Sequence, residues 1–596
     1  MKTRKNRKQR FAGALALGGL GLLATQPAAA FKFDGESVSG SFDSTISVGV
    51  QGRISSTSCH IIGNDNGGCT PDVGKLGVVV NGPGMGATAP PNFNYLQSDD
   101  GNLNYKKGDI TSFALKGTHE LFLKFPEGVT TLLRGTWTKD FKVDDTRSTD
   151  LSGAAKSLAA HNFTWLDAWI AKDFRIGDRP AKVKIGNQVI SWGEDIFIPG
   201  GVNITNAIDF RKFHTPGTQL KEVFRPAPIA SINLGLTDNV SLEAYYQWKW
   251  NGFQFDPVGT YFSGADVIGK GAGPAYITNA LAGAFGFGPC GDRNTINPAT
   301  GRKFTNAELI ANGCLVPRGE TNTPKDSGQF GFAARFKPDD IKAEFGAYAI
   351  RYHDKIPFIG FIVDGNANNA LGLTYFEDYG EKRNVFGLSM NTNIGPVAVG
   401  AEISYRPRDS VGIDPTVPLA GKYAAFANPG VPIRGFVTER KWQAHLTGFY
   451  LIAPSSPLGA IMTGLGAAEG FILAEGAVTR YPGLDFSGTK PYLLPNYELP
   501  TKTSVGYVVS MGLTYPNVWT SGWNLTPQID FAHDVKGTSP NTIPFVEGRK
   551  AATFSLNFDR ESRWKANLGV TRFWGGGSNN LLRDRDMAYG SVSYTF

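Results

Sequence analysis

Asp586-Met587-Ala588-Tyr589-Gly590-Ser591-Val592-Ser593-Tyr594-Thr595-Phe596 dictates how the rest of the chain must be organised. Successive side chains of an extended strand point to opposite faces. Phe596, Tyr594, Val592, Gly590 and Ala588 therefore share one face, and Thr595, Ser593, Ser591 and Tyr589 share the other. The ribbon is mostly apolar on one side and polar on the other, and its unpaired edges need partner strands.

The stretch from Ser37 to Gln51 repeats the pattern. Val38, Gly40, Phe42, Ile46, Val48 and Val50 alternate with Ser37, Ser39, Ser41, Asp43, Thr45, Ser47 and Gln51. Between the two ribbons lies a rhythm of hairpins with the residues that tight turns require, such as Pro126-Glu127-Gly128, Gly177-Asp178-Arg179-Pro180, Thr237-Asp238-Asn239 and Asn393-Ile394-Gly395-Pro396. The count is about eighteen strands, with sixteen as the runner-up. Connections alternate between tight turns and long stretches, notably 55–109, 192–228, 253–327 and 353–383. Short periplasmic turns, long external loops and an apolar outer face are the arrangement of an antiparallel up-and-down barrel in an outer membrane. The expected fold is thus all-β, a transmembrane barrel in which the terminal strand closes on the first. Tyr594 and Phe596 act there as the closure and assembly signal, of the kind found at the C-terminus of Gram-negative barrels. Trp137, Trp165, Trp169, Trp248, Trp250, Trp442, Trp519, Trp523, Trp564 and Trp574 fall within or at the ends of strands, as an interfacial girdle requires.

The N-terminus carries Lys2, Arg4, Lys5, Arg7, Lys8 and Arg10, then an apolar run from Phe11 to Ala24 and the small-residue site Ala28-Ala29-Ala30. This predicts a cleaved signal peptide over 1–30 and one barrel over 31–596. Six of the seven net positive charges lie in that leader, so the mature chain is near +1 and its basicity points to no nucleic-acid partner. The first strand begins about seven residues after Phe31, which leaves no room for an amino-terminal plug, so any obstruction must come from a loop. Cys59 with Cys69, and Cys290 with Cys314, read as two local disulfides pinning long loops in an oxidising compartment. Neither spacing is that of a zinc site.

Catalytic signals are weak. Gly264 to Lys270 matches the glycines and lysine of a phosphate loop, but Gly271 stands where Ser or Thr should follow. No Gly-x-Ser-x-Gly elbow occurs, and the seven histidines are scattered singly. No enzyme, cofactor or metal is expected. Asn64-Asp65-Asn66-Gly67 offers several oxygens that could hold calcium loosely, but it reads as a turn. Loop 192–228 concentrates charge, glycine and aromatic residues. Trp192, Glu194, Asp195, Asn203, Lys221 and Glu222 are its candidate pore and ligand residues, whether the loop folds inward to narrow the lumen or lies solvated outside. Gly269 to Gly288 is a second candidate for an apolar inward loop.

Gly186-Asn-Gln-Val-Ile-Ser-Trp-Gly-Glu194, Gly387-Leu-Ser-Met-Asn-Thr-Asn393, Glu402-Ile-Ser-Tyr-Arg-Pro407, His533-Asp-Val-Lys-Gly-Thr-Ser-Pro540 and Asp584-Arg585-Asp586 resemble a large proteobacterial family labelled a domain of unknown function, number thirteen hundred and two. The resemblance spans nearly the whole mature chain and implies an outer-membrane barrel. It further implies neighbours among periplasmic companion proteins, inner-membrane lipid-type exporters and clusters that handle steroids or alkanes. The family defines no catalytic residues. The expected function is passive passage of small hydrophobic or amphipathic molecules through a monomer surrounded by outer-membrane lipid. A porin for polar solutes is the alternative, and a surface-structural or adhesive barrel the third reading. The expected partners are the barrel-assembly machinery, acting through the last strand, and a periplasmic companion.

Overall fold

The computed structural model describes residues 31–69, 93–284, 286–369, 371–417, 421–487, 490–492, 494–495 and 498–596; the expected signal peptide lies outside them. Among the described residues, eighteen strands form a closed antiparallel sheet, to which one short further strand adds. The first nine are β1 (Ser39–Arg53), β2 (Ile110–Lys124), β3 (Val129–Asp140), β4 (His161–Ile176), β5 (Arg179–Gln188), β6 (Ala227–Gly235), β7 (Val240–Gln247), β8 (Gln329–Phe336) and β9 (Ala343–Tyr352). The rest are β10 (Arg383–Ile394), β11 (Val397–Gly412), β12 (Phe436–Ile452), β13 (Glu469–Arg480), β14 (Thr503–Val518), β15 (Trp523–Lys536), β16 (Lys550–Arg560), β17 (Trp564–Trp574) and β18 (Met587–Thr595). Each pairs with its neighbour in sequence, and β18 pairs with β1 from Thr45↔Thr595 to Arg53↔Met587, so the sheet closes as a barrel. At the seam Ser44 and Phe596 exchange both backbone hydrogen bonds, at 3.0 and 2.9 Å. Beyond Phe596 the short strand Phe31–Asp34 pairs with the free start of β1.

Closure follows from the alternation. Val48, Val592, Leu388, Leu446, Phe554 and Leu568 are exposed on the outer face, while Ser47, Gln51, Ser404, Gln443 and Ser510 are buried on the inner. Water would penalise this arrangement, and lipid around a wet lumen favours it. No helix among the described residues is long and apolar enough to cross a membrane, so the crossing is made by strands.

Two tryptophans depart from the girdle expectation. In β4, Gly135 pairs with Trp165 but Leu133 pairs with Ala168, so one extra residue sits in β4. Such a bulge exchanges the two faces. Trp165 is therefore exposed to lipid, while Trp169 points inward beneath the Lys184 ammonium, 4.3 Å from its ring centre. Trp250 lies beyond the end of β7 in an external loop, where its Nε1 donates to the Asp354 carbonyl at 3.2 Å.

Short turns lie at one rim. At the other, long connections build a cap around a core that includes Tyr276, Leu309, Val316, Leu373 and Tyr375. Within Gly269 to Gly288, the second candidate for an apolar inward loop, Ala275, Tyr276, Ile277 and Ala282 pack into this core. Both expected disulfides, Cys59–Cys69 and Cys290–Cys314, stand in the cap. The Asp584-Arg585-Asp586 motif ties the cap to the seam. Asp584 Oδ2 pairs with the Arg53 guanidinium at 3.1 Å and accepts from Ser58 N at 2.7 Å, and the Asp586 carbonyl accepts from Ile54 N and Tyr261 Oη, each at 3.0 Å.

Candidate functional site

Between β5 and β6 the connection 189–226 does not stay at the rim. Its first half runs along strands β7–β13 on one side of the lumen. Its second half returns to β1, β2 and β18 on the other.

The first half is seated by side chains that point inward from mid-strand. Trp192 is buried against Tyr245 and Tyr348, with ring centres 5.1 and 5.9 Å away, and its Nε1 donates to Glu243 Oε2 at 2.8 Å. Gly331 on β8 makes the space, since a Cβ there would meet both the Trp192 and Tyr245 rings. Glu402 on β11 accepts from Glu194 N at 2.8 Å with Oε2 and from Val202 N at 2.6 Å with Oε1. Val202 is fully buried against Gly387, where a Cβ would collide with it. Glu475 on β13 takes the backbone N–H groups of Ile196, Phe197 and Ile198 on a single oxygen, while its other oxygen meets His445 Nδ1 at 2.8 Å. Arg406 donates to the carbonyls of Gly200 and Gly201, each at 2.6 Å, and Gln443 donates to that of Pro199 at 3.0 Å. Charge-assisted hydrogen bonds to backbone groups are the stronger kind, and here they hold a loop that has almost no regular structure of its own.

The second half is held by a buried ion pair. Glu222 accepts from Lys116 Nζ on β2 at 2.8 and 3.0 Å and lies 3.9 Å from Lys212 Nζ. Lys221 reaches Glu120 at 3.3 Å. Pro216 lies against Gly49 of β1, and a Cβ at Gly217 falls 3.6 Å from Ser591 Cβ on β18.

The six expected residues thus divide into different environments. Trp192 and Glu222 are buried anchors. Glu194 accepts from Asn391 Nδ2 at 3.2 Å and faces a cavity of about 1520 Å³ at the short-turn end of the lumen. Glu194 belongs to the connection and not to a spanning strand; burial pushes its carboxyl up to about 7. Asp195 is buried beside Glu402 and His445 at the Gly201 turn, and its Oδ1 has no hydrogen-bond partner. Asn203 accepts from Asn206 Nδ2 at 2.7 Å and braces the loop internally. Lys221 is partly exposed on the opposite wall. The cavity below Glu194 is lined by Lys182, Glu243, Arg335, Glu344, Asn391 and Thr447, among others, with Arg335 held between Glu243 at 2.9 Å and Glu344 at 3.2 Å. The residues that seat the loop from the wall, Lys116, Glu402, Arg406, His445 and Glu475, are not signalled as a set by sequence. Their one mark is a charge at an inward position of an otherwise hydroxyl-rich strand face.

The chain belongs to the family described as proteins of unknown function, DUF1302, whose model matches residues 11–596. Among curated proteins none matches it. Solved structures similar to it include Acinetobacter baumannii OccAB1, at 9% identity, with 96% of this chain and 99% of that chain covered and a TM-score of 0.39. A. baumannii OccAB3 follows at 7%, 93%, 98% and 0.38. A BenF-like porin from Pseudomonas fluorescens gives 8%, 94%, 98% and 0.39. At such scores these likenesses add nothing to the closed strand pairing, which itself defines the barrel.

Proposed function

We propose that this DUF1302 protein is an outer-membrane channel through which small amphipathic molecules pass passively, with segment 189–226 as the element that narrows the passage. The observation that carries the reading is the double anchoring of that segment, by Glu402, Glu475 and Arg406 on one wall and by Lys116 on the other. A loop spanning a wet lumen leaves passage only beside itself, so what borders it selects what passes. The cavity below it combines the carboxylates Glu194, Glu243 and Glu344 with the cations Lys182 and Arg335 and the apolar Ile196, Phe336 and Leu473, a surface suited to molecules with a polar end and an apolar body.

A second reading, a porin for fully polar solutes, is favoured by the inner face of β14–β18, where Ser510, Gln528, Thr571, Ser591 and Ser593 offer hydroxyls and amides. In both readings the channel is a monomer whose last strand is recognised during assembly, and no reaction is assigned to it. Planar-bilayer recording of the purified chain tests the channel: discrete conductance steps are expected, and silence at all voltages would reject it. Uptake of a labelled hydroxylated steroid and of a sugar, compared in a deletion strain, separates the cargo classes. Loss of the amphipathic probe alone supports the first reading, and loss of the sugar alone the second.

A further inference from the structure

Where the external connection 54–109 meets the connection 248–328, the cap buries carboxylates without matching cations. One oxygen from each of Asp99, Asp100 and Asp266 lies within 4.8 Å of one from each of the others. Asp99 is 0% exposed and Asp100 is buried. Asp99 Oδ2 accepts from Gly63 N at 2.9 Å and from Asn66 Nδ2 at 3.1 Å, but its Oδ1 has no partner. Asp266 Oδ2 accepts from Asp100 N at 3.3 Å, and its Oδ1 also has none. One turn on, the Oδ1 of Asn102, 2% exposed, is a third buried acceptor without a donor. Asp292 stands beside them, bridged to Asp99 by the two hydrogens of the Asn66 amide. Against these four acids the one ion pair among the described residues is with Arg293, 3.8 Å from Asp100 on the solvent side; Asp99 and Asp266 form none, although the Arg585 guanidinium lies near enough to Asp266 to interact with it electrostatically. Burial and mutual repulsion push the Asp99 carboxyl well up and that of Asp292 to about 6.

Two buried carboxylate oxygens without donors, on acids that each bring an oxygen within 4.8 Å of the others, have the chemistry of a cation seat. All donors are oxygens, as a hard cation requires. Oxygens bound to one calcium ion stand at most roughly 5 Å apart, whereas magnesium needs a tighter octahedron. We propose that Asp99, Asp100 and Asp266 bind a calcium ion that joins the two connections across the mouth of the barrel. The turn Asn64-Asp65-Asn66-Gly67 takes part as a positioning element, since Asn66 holds Asp99 and Asp292 in place and accepts from Thr295 Oγ1 at 2.7 Å. The Cys59–Cys69 bridge spans that turn.

The test is calorimetric titration of calcium chloride into the full chain, refolded in detergent free of lipopolysaccharide and stripped with EDTA, together with its thermal melt. One calcium per chain is expected, with a higher melting temperature when loaded. Asp99→Asn and Asp266→Asn should each weaken binding at least tenfold, and Asp178→Asn, in an exposed turn at the far rim, should not change it. A wild-type chain that takes up no calcium, or substitutions at 99 and 266 that bind as wild type does, would overturn the proposal and leave the acids held by protons. Should one variant fail to fold, the wild-type titration and the other variant still decide.

Discussion

Removal of the Glu475 side chain should open the channel. One oxygen of this carboxylate accepts three consecutive backbone N–H groups of the crossing segment, and the other accepts from or shares a proton with His445. Glu475→Ala leaves three donors of the loop, one buried and two part-buried, with no acceptor, and removing one partner of a buried charged network costs about 3–5 kcal/mol. Each 1.4 kcal/mol is a factor of ten in an equilibrium, so the seated state of residues 196–198 loses about two to three orders of magnitude of preference. The remaining anchors at Glu402, Arg406 and Lys116 keep the loop inside the barrel but let residues 196–198 between them move. Single-channel recording should show larger and noisier conductance steps than wild type, at unchanged heat-modifiable electrophoretic mobility of the folded barrel. Glu475→Gln keeps one oxygen acceptor and should fall between the two. Conductance identical to wild type in a correctly folded Glu475→Ala barrel would refute the assignment of 189–226 as the narrowing element.

Three further outcomes follow. Lys116→Met leaves Glu222 only the more distant Lys212 ammonium and should destabilise the barrel by up to about 3–5 kcal/mol in urea titration, whereas Lys116→Met with Glu222→Leu and Lys212→Met, which removes all three buried charges, should recover most of the loss. The Glu194 carboxyl is raised above its unfolded value to about 7, so it is charged above that pH and neutral below it. Cation preference in reversal-potential measurements should fall as pH drops from about 8 to about 6, a fall absent in Glu194→Gln. Because the folded state binds this proton more tightly, the same drop stabilises the fold. Replacing Cys290 and Cys314 together by Ser reopens a connection with a separation of 24 residues and should lower cap stability by about 3–4 kcal/mol on chain-entropy grounds, read as faster proteolysis of 248–328 with barrel strands intact.

The barrel was legible because its signal is local and repeated. Each hairpin carries its own alternation and its own turn residues, and a period of two is visible without knowledge of any partner. The strand pattern failed at Trp169, because a single inserted residue in β4 reverses the face and leaves no compositional mark. Loop 192–228 was singled out by its composition, but its two candidate positions, inside or outside, could not be separated from sequence. The groups that seat its first half include some from strands 200 and 277 residues later, as with Val202 and Glu402 or Ile198 and Glu475. Glu402 and Arg406 stood in a family-like stretch, yet nothing near them in sequence needs a carboxylate or a guanidinium. Within Gly269 to Gly288 the partners are equally distant in sequence, since Tyr276 and Ile277 share a core with Leu96, Tyr375 and Ile433.

The most direct test of the crossing segment is a cysteine pair introduced at Gly217 and Ser591, in a chain whose native cysteines are retained and mapped separately. A Cβ at Gly217 falls 3.6 Å from that of Ser591, within the range that a disulfide bridges. Oxidation of Gly217→Cys with Ser591→Cys should yield a peptide linked between the loop and the last strand in mass spectrometry. If instead the thiol introduced by Gly217→Cys stays free and reacts from the external side with a bulky water-soluble reagent, with no linked peptide, segment 189–226 lies outside the lumen and the account is contradicted.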